Sequence, residues 1–595
     1  MPFLFYNDFS GGENNTTPPD NMNDNEVRKM ENAHPALRGG FEKRLGTDNL
    51  NATSYKSTTD QQVTQVIEWV LSDGSTLLLN VMNNDLNLVD QTTGVITKKL
   101  DIARSYIGYI VYKDVLYFTD GSKYYEYGKR DFYTSDGVKP VVSGQTVVKN
   151  TPISTHATKP GTVNHFYKAL FTNAAVDLSI ASFSDTSQWS DVTASYTTLI
   201  PDTIREVVPN ATAGNDLTPI KRCKYLAFHP ISLRVFAAGD SSNPSALYYS
   251  ESDDPTYFKA VSILYPTSAM GPVNGVVAFN RSILVGYKKR WRVWNGTDPS
   301  TDAEWKELSI PVGLIANDTI ALTPESLTFQ AGDGHIWTIS TAILADEDTV
   351  MVMSQGMAYN LTEEKQKVTI DGMVSMSGNK AVYHDGKYLL AYSDDAGLGY
   401  NNKVLELTWQ TKAFSKVTGW RVNCWCERDD NTLLFGSTNY ILEAYTRSRY
   451  ADIDTSDGSD KAISMSVDLK PTALGTMFSK FLNQIFVSAN QYIVSGVDES
   501  HLDIEIVSDY TNIDIETDLN ESFVWGRSWT KTWGWCELIQ QWAQIRRKAI
   551  RFQAKFTDST EDNPIFIYGM GYMFDVLDAF DKDPISAAAL ISNSV

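Results

Sequence analysis

Residues 65–81, QVIEWVLSDGSTLLLNV, 85–100, DLNLVDQTTGVITKKL, and 106–127, YIGYIVYKDVLYFTDGSKYYEY, decide the fold class. Each carries apolar runs of strand length built from Val, Ile, Leu, Tyr and Trp. Such side chains fill a pleated, half-buried surface, and each run stops at a turn signal. Asp73-Gly74 and Asp120-Gly121 fall between two runs, where an Asp-Gly pair supplies the left-handed backbone of a tight hairpin. The stretch reads as successive antiparallel hairpins.

The texture returns after residue 221 in CKYLAFHPISLRVFAAGD, VNGVVAFNRSILVGYKKRWRVWNGT, SLTFQAGDGHIWTIS, KAVYHDGKYLLAYSD and NTLLFGSTNYILEAY. Each unit offers a strand, a tight turn and a second strand ending near Gly, Ser or Asp. That is a repeat of architecture rather than of sequence, as in the blades of a β-propeller, although an irregular β-sandwich gives similar spacing. We assign 61–140 to the first part of a β-propeller-like central domain and 221–450 to its remainder. Residues 141–220, rich in Thr, Ser and Ala, are predicted to be a small β domain inserted between blades. Its Tyr167, Phe183 and Trp189 would form either an exposed aromatic platform or a small core, and core is favoured because aromatics dominate small cores.

Renewed alternation over 464–575 (SMSVDLKPTALG, LDIEIVSDYT, KAIRFQAKF, NPIFIYGMGYMF) predicts a C-terminal antiparallel β-sandwich. Between it and the propeller, 451–463 reads as an acidic linker. Its Asp452, Asp454, Asp457 and Asp460 miss the spacing of a calcium loop. Residues 1–60, dense in Asn, Asp, Pro and Gly, read as an extended N-terminal arm with one short helix at NDNEVRKMENA (23–33), and 576–595 as a tail. The expected fold class is all-β.

The chain has 595 residues and a formal net charge of -21, which argues against wrapping a phosphate backbone, since that needs clustered Lys and Arg. Four cysteines, Cys223, Cys424, Cys426 and Cys536, are too few for a disulfide framework and fit a reducing site of synthesis. Cys424 and Cys426 would share one face of a strand. The opening MPFLFYNDFSGG has no signal-peptide pattern, and no window reaches the ~20 apolar residues that cross a bilayer, so a soluble protein not secreted by that route is expected.

Catalytic signatures are sparse. His34, His156, His165, His229, His335, His384 and His501 show no metal-binding spacing, no phosphate-binding Gly-rich loop occurs, and GLGYNN at 397–402 reads as a turn. A propeller glycosidase would need paired carboxylates, and the Asp-box repeats of sialidases do not occur. In YKKRWRVWNG, Lys288, Lys289, Arg290 and Arg292 beside Trp291 and Trp294 would suit single-strand stacking, but the alternation is also that of a half-buried strand, which we prefer. No catalytic, cofactor-binding or metal residue is assigned, and no enzyme activity is expected.

Three segments resemble the tail hub and nozzle proteins of short-tailed bacteriophages, often described as packaged-DNA stabilisation proteins. The first is 7–47, NDFSGGENNTTPPDNMNDNEVRKMENAHPALRGGFEKRLGT, with a Gly-Gly turn, an Asn-rich acidic stretch and a basic Arg-Gly element (Arg38, Lys43, Arg44) ending in Arg44-Leu45-Gly46. The second is 224–258, with Arg234, Gly239, Asn243, Pro244, Ser250, Asp254, Pro255 and Phe258 in family-like order. The third is 545–574, IRRKAIRFQAKFTDSTEDNPIFIYGMGYMF. They cover about a fifth of the chain, and the insertion has no match in the pattern.

The resemblance implies a structural subunit that docks in a six-fold ring of copies below the portal and its adaptor protein, beside tail fibre or spike proteins. Genomic DNA would pass through the channel without sequence-specific binding, and the host envelope is a further possible contact. The implied location is the virion tail, after assembly in the host cytoplasm. The alternatives are a glycan-binding adhesin or receptor-contact protein, and third, a propeller glycosidase.

Overall fold

A computed structural model describes residues 3–36, 39–51, 55, 59–71, 74–128, 145–147, 152–154, 166–169, 173–176, 185–187, 189–191, 203–207, 214–264, 270–296, 298–301, 304–308, 310–324, 326–340, 358–447, 449–474, 478–491, 501–508, 512–518, 537–562 and 564–577. The chain is an all-β protein with propeller-like sheets. It divides into two units: Met1–Gln61 with Gly334–Trp337 and Asn360–Val595, and Gln62–Asp333 with Thr338–Tyr359.

The unit that begins at Gln62 is a succession of four-stranded antiparallel sheets. The first runs Val63–Val70, Thr76–Met82, Asp85–Val89, Ile96–Asp101. The second takes Gly108–Tyr112, Val115–Thr119, Tyr124–Gly128 and then Thr203–Glu206. The third is Tyr225–His229, Arg234–Ala238, Leu247–Tyr249, Ile263–Leu264. The fourth is Val273–Phe279, Ser282–Tyr287, Trp291–Trp294, Trp305–Glu307. Two-residue turns close the hairpins where both central residues are left-handed, as at Asn83-Asn84 (φ 53° and 62°) and Lys113-Asp114 (φ 48° and 62°). Gly74 (φ 81°) and Gly121 (φ 94°) turn as the Asp-Gly pairs predict; Asp73 lies outside the described residues.

Successive sheets share cores. Ile67, Trp69 and Leu79 of the first pack with Leu116, Phe118 and Tyr127 of the second. Tyr112, Tyr117 and Tyr124 of the second meet Val235, Ala237 and Tyr248 of the third. Phe236 and Leu247 of the third meet Val276, Ile283 and Trp294 of the fourth. Side chains point alternately to the two faces of a strand, so both faces of the second and third sheets are apolar and each of these two is sandwiched between neighbours, which is the packing of blades.

The insertion is β, with small sheets at Gln145–Val147/Asn173–Val176 and Pro152–Ser154/Phe166–Ala169/Trp189–Asp191. It does not lie between blades as expected. Gly128 pairs with Thr203, so the chain leaves the second sheet after its third strand and returns to supply the fourth. A fifth four-stranded sheet follows: Ala321–Leu322, Ser326–Gln330, Ile336–Ser340, Ala358–Asn360.

The other unit holds a β-sandwich. One sheet has ten strands, in the order Lys380–His384, Lys387–Tyr392, Asn401–Thr408, Ala413–Val422, Gly12–Glu13, Glu26–Glu31, Met465–Leu469, Phe552–Asp558, His501–Ser508, Asn512–Asp518. The second sheet orders Ala33–Pro35, Phe41–Lys43, Ile565–Val576, Lys480–Gln491, Glu537–Ala549, with Phe3–Tyr6 also on Ile565–Val576. Val27, Met30, Phe41, Leu482, Ile504, Phe556 and Ile567 form the core between them. A separate sheet, Cys424–Glu427, Leu433–Gly436, Ile441–Ala444, takes Thr47–Asn49 as its fourth strand.

Four expectations are corrected here. The strands over 380–422, expected in the remainder of the propeller, lie in the ten-stranded sheet, because the segments 12–13 and 26–31 pair them with the strands of the sandwich. The first sixty residues are not a free arm: strands from 3 to 49 are built into this unit's own sheets. The helix at 23–33 is the strand Glu26–Glu31, because Val27 and Met30, both fully buried, lie among strands that satisfy its backbone, and pairing outweighs local propensity. The acidic linker is a hairpin, Ala451–Ile453 with Asp460–Ala462, whose Asp452 is buried in an ion pair. Of the tail, only Val576 and Leu577 are described.

Candidate functional site: the polar core under the N-terminal segment

A set of buried, mutually paired ionisable side chains lies where 32–46 crosses the sandwich unit. Local glycines make the crossing possible. A Cβ on Gly40 (φ 82°) would stand 2.1 Å from the Ile567 carbonyl oxygen, and one on Gly46 1.9 Å from that of Ala451. Only glycine lets the backbone approach so closely.

Arg44 is fully buried. Its Nε donates to Asn32 Oδ1 at 2.8 Å, Nη1 to Asp452 Oδ1 at 2.8 Å and to the Leu45 carbonyl at 3.0 Å, and Nη2 to Asp452 Oδ2 and the Thr418 carbonyl. All five guanidinium protons are thereby used. The guanidinium lies 4.7 Å over the Trp420 ring, whose Nε1 donates to Asp452 Oδ1 at 3.0 Å. Beside it, Lys43 Nζ, also buried, donates to Asp558 Oδ2 at 2.6 Å and to the Thr560 carbonyl at 3.0 Å. Burial pushes the Lys43 amine down and Asp558 offsets only part of that.

A second group surrounds Glu406. Ser415 Oγ donates to its Oε2 at 2.6 Å, Tyr445 OH donates to its Oε1, Lys387 Nζ lies 4.0 Å from Oε1 and His34 Nδ1 3.9 Å from Oε2. Burial pushes Glu406 up, but Lys387, His34 and the two hydroxyls outweigh it and hold the carboxyl at about 2. Burial, aided by Lys387, pushes His34 down to about 3, and burial next to Glu406 drives Tyr445 well above the usual phenol range. None of these three changes protonation near neutral pH, where a general acid or base must be poised. The arrangement serves to fix charges in place.

The residues singled out in the sequence are not gathered at this site, apart from His34, Lys43, Arg44 and Asp452. Arg38 lies outside the described residues, as do Phe183, His156, His165 and Cys536. Trp189 is buried; the side chain of Tyr167 is not among those described. Trp291 and Trp294 are fully buried in a strand, leaving no ring for base stacking, while Lys288, Lys289 and Arg290 are exposed in the preceding turn and Arg290 pairs with Glu307 at 3.3 Å. Asp454 and Asp457 cap turns by accepting from Ser456 and Ser459, and Asp460 pairs with Arg449. Among the described residues, no group of three or more His, Cys, Asp or Glu could hold a metal ion. Cys424 and Cys426 are buried on one strand, 397–400 is a loop, and no helix among the described residues is long and apolar enough to cross a membrane.

Glu406, Lys387 and Tyr445 escaped sequence reasoning. Glu406 sits in VLELTW as one polar residue in an alternating strand, which ordinarily means a solvent-facing position. Its burial follows from strand 33–35 packing beside it, a fact with no local signature.

No protein-family model matches the chain. No curated protein matches it either. Among solved structures, similar chains include the Neurospora crassa Pan2 WD40 domain (6% identity, 68% of this chain and 97% of that one, TM-score 0.35) and the WD40 β-propeller domain of Doa1 (10%, 67% and 97%, 0.34). PorZ, a surface component of the type-IX secretion system of Porphyromonas gingivalis, matches at 9% identity over 79% of this chain and 46% of its own, with TM-score 0.31.

Proposed function

We propose that the chain is a structural subunit of a bacteriophage tail hub or nozzle, closing the channel on packaged DNA and forming the conduit through which it leaves. One observation carries the reading. Two of the segments that bear the resemblance, 7–47 and 545–574, pair with each other: Phe41 with Ile567, Glu42 with Phe566, and Lys43 with Asp558 through a buried ion pair. These two segments thus fold together as one piece of architecture, which supports reading them jointly. Rigid β-sheets held by buried ion pairs suit a part that keeps a fixed bore under load, and the net charge of -21 suits a wall that does not grip a polyanion.

A glycan-binding adhesin is the second reading. With Trp189 buried, it would draw on the exposed Phe3 and Phe5, whose rings stack at 6.2 Å. Electron microscopy of virions labelled against the protein, and of the purified chain, separates the readings. Six-fold density at the tail end supports the conduit. A monomer absent from the tail that binds glycan saturably supports the adhesin, and turnover abolished by a single carboxylate change would establish a glycosidase.

A further inference from the structure

The ion pairs that residues 13–44 make with residues beyond 360 change sign once along the segment, and between the two groups Lys29 and Glu31 pair with each other at 3.0 Å. Over residues 13–26 the paired groups are acids, each on a cation from later in the chain: Glu13 on Lys416 at 2.6 Å, Asp20 on Arg551 at 2.7 Å, Asp24 on Lys470, and Glu26 on Lys365 at 3.1 Å. At residues 43 and 44 the signs reverse, with Lys43 on Asp558 and Arg44 on Asp452. Glu13, Glu26, Lys43 and Arg44 are at most 3% exposed. The six partners all lie within the same unit.

We propose that residues 13–44 dock as a charge-coded strap. Its buried acids Glu13 and Glu26 read two cations and its buried Lys43 and Arg44 two carboxylates, with the exposed pairs of Asp20 and Asp24 adding little, and this order, rather than apolar burial alone, sets the register in which the strap closes the sandwich. The physics favours such a role. A buried ion pair contributes little net stability over a well-packed apolar pair, but a misplaced one leaves an uncompensated charge in the interior. Apolar burial by Val27, Met30 and Phe41 discriminates weakly between the native register and a two-residue slip, because side chains two apart share a face of the strand. A slip would carry Lys43 and Arg44 away from both carboxylates.

The test uses the full chain and hydrogen exchange of the peptides covering 26–44, with peptides in 273–294 of the other unit as the control for global unfolding. Lys43→Asp and Asp558→Lys should each speed strap exchange about 100-fold or more, and the two together should return it to within about tenfold of the parent. Register is read separately by disulfide trapping. Glu42→Cys with Phe566→Cys reports the native pair, and Glu42→Cys with Tyr568→Cys a two-residue slip. In the parent only the first should cross-link; with Lys43→Met and Asp558→Leu added, both should. Native-only cross-linking in that apolar background, or failure of the double reversal to restore protection, would overturn the proposal.

Discussion

Arg44 donates through both terminal nitrogens to the carboxylate of Asp452, 408 residues later in the chain, and neither side chain is open to solvent to any extent that matters. Replacing Arg44 with Ala removes the cation and leaves Asp452 buried and unpaired, with Trp420 Nε1 as a remaining side-chain donor. A loss of about 3–5 kcal/mol is expected, measured as the shift of the denaturant midpoint.

Acid sensitivity should come partly from His34. Its pKa in the folded chain is depressed to about 3 from an ordinary 6.5, so the unfolded chain binds the proton first. Its contribution is present above pH 6.5 and is lost as pH falls from there towards 3, at a slope of about 1.4 kcal/mol per pH unit. The stability of His34→Gln should fall less steeply between pH 6.5 and 4.5. An unchanged slope would remove His34 from the account.

Glu406 works in a lower window. With its carboxyl held at about 2 instead of 4.5, its contribution is present above pH 4.5 and is lost as pH falls through 2. Glu406→Gln should be less stable than the parent at pH 7, and the gap should narrow on acidification below 4.5, as followed by urea titrations at each pH.

Two glycines should respond differently to alanine. At Gly46 the new Cβ meets backbone, and about 3 kcal/mol is expected together with loss of protection in 47–49. At Gly74 the added carbon meets nothing within 4 Å, so only the left-handed backbone (φ 81°) is penalised, at about 1 kcal/mol.

Deleting residues 1–46 should unfold the sandwich unit, not free a passive arm. Val27, Met30 and Phe41 leave its core and Asp452 and Asp558 lose their buried cations. Limited proteolysis should cut the region 465–577 rapidly.

The all-β class, the Asp-Gly hairpins and the burial of Trp291 were legible in the sequence, because side-chain alternation and turn chemistry depend only on near neighbours, whereas Trp294 falls on the face of Arg290 and Arg292 by alternation and is buried all the same. Residues 26–31 were not, since their own propensity permits a helix and only strands from elsewhere in the chain make them a strand. The insertion point was hidden for the same reason, as the strand completing the second sheet returns from residue 203. Arg44 and Asp452 read as charges in polar stretches, and Glu406 as the solvent-facing position of an alternating strand. Tertiary structure alone decided that they are interior, because burial of a charge becomes tolerable only when a partner remote in sequence arrives to compensate it.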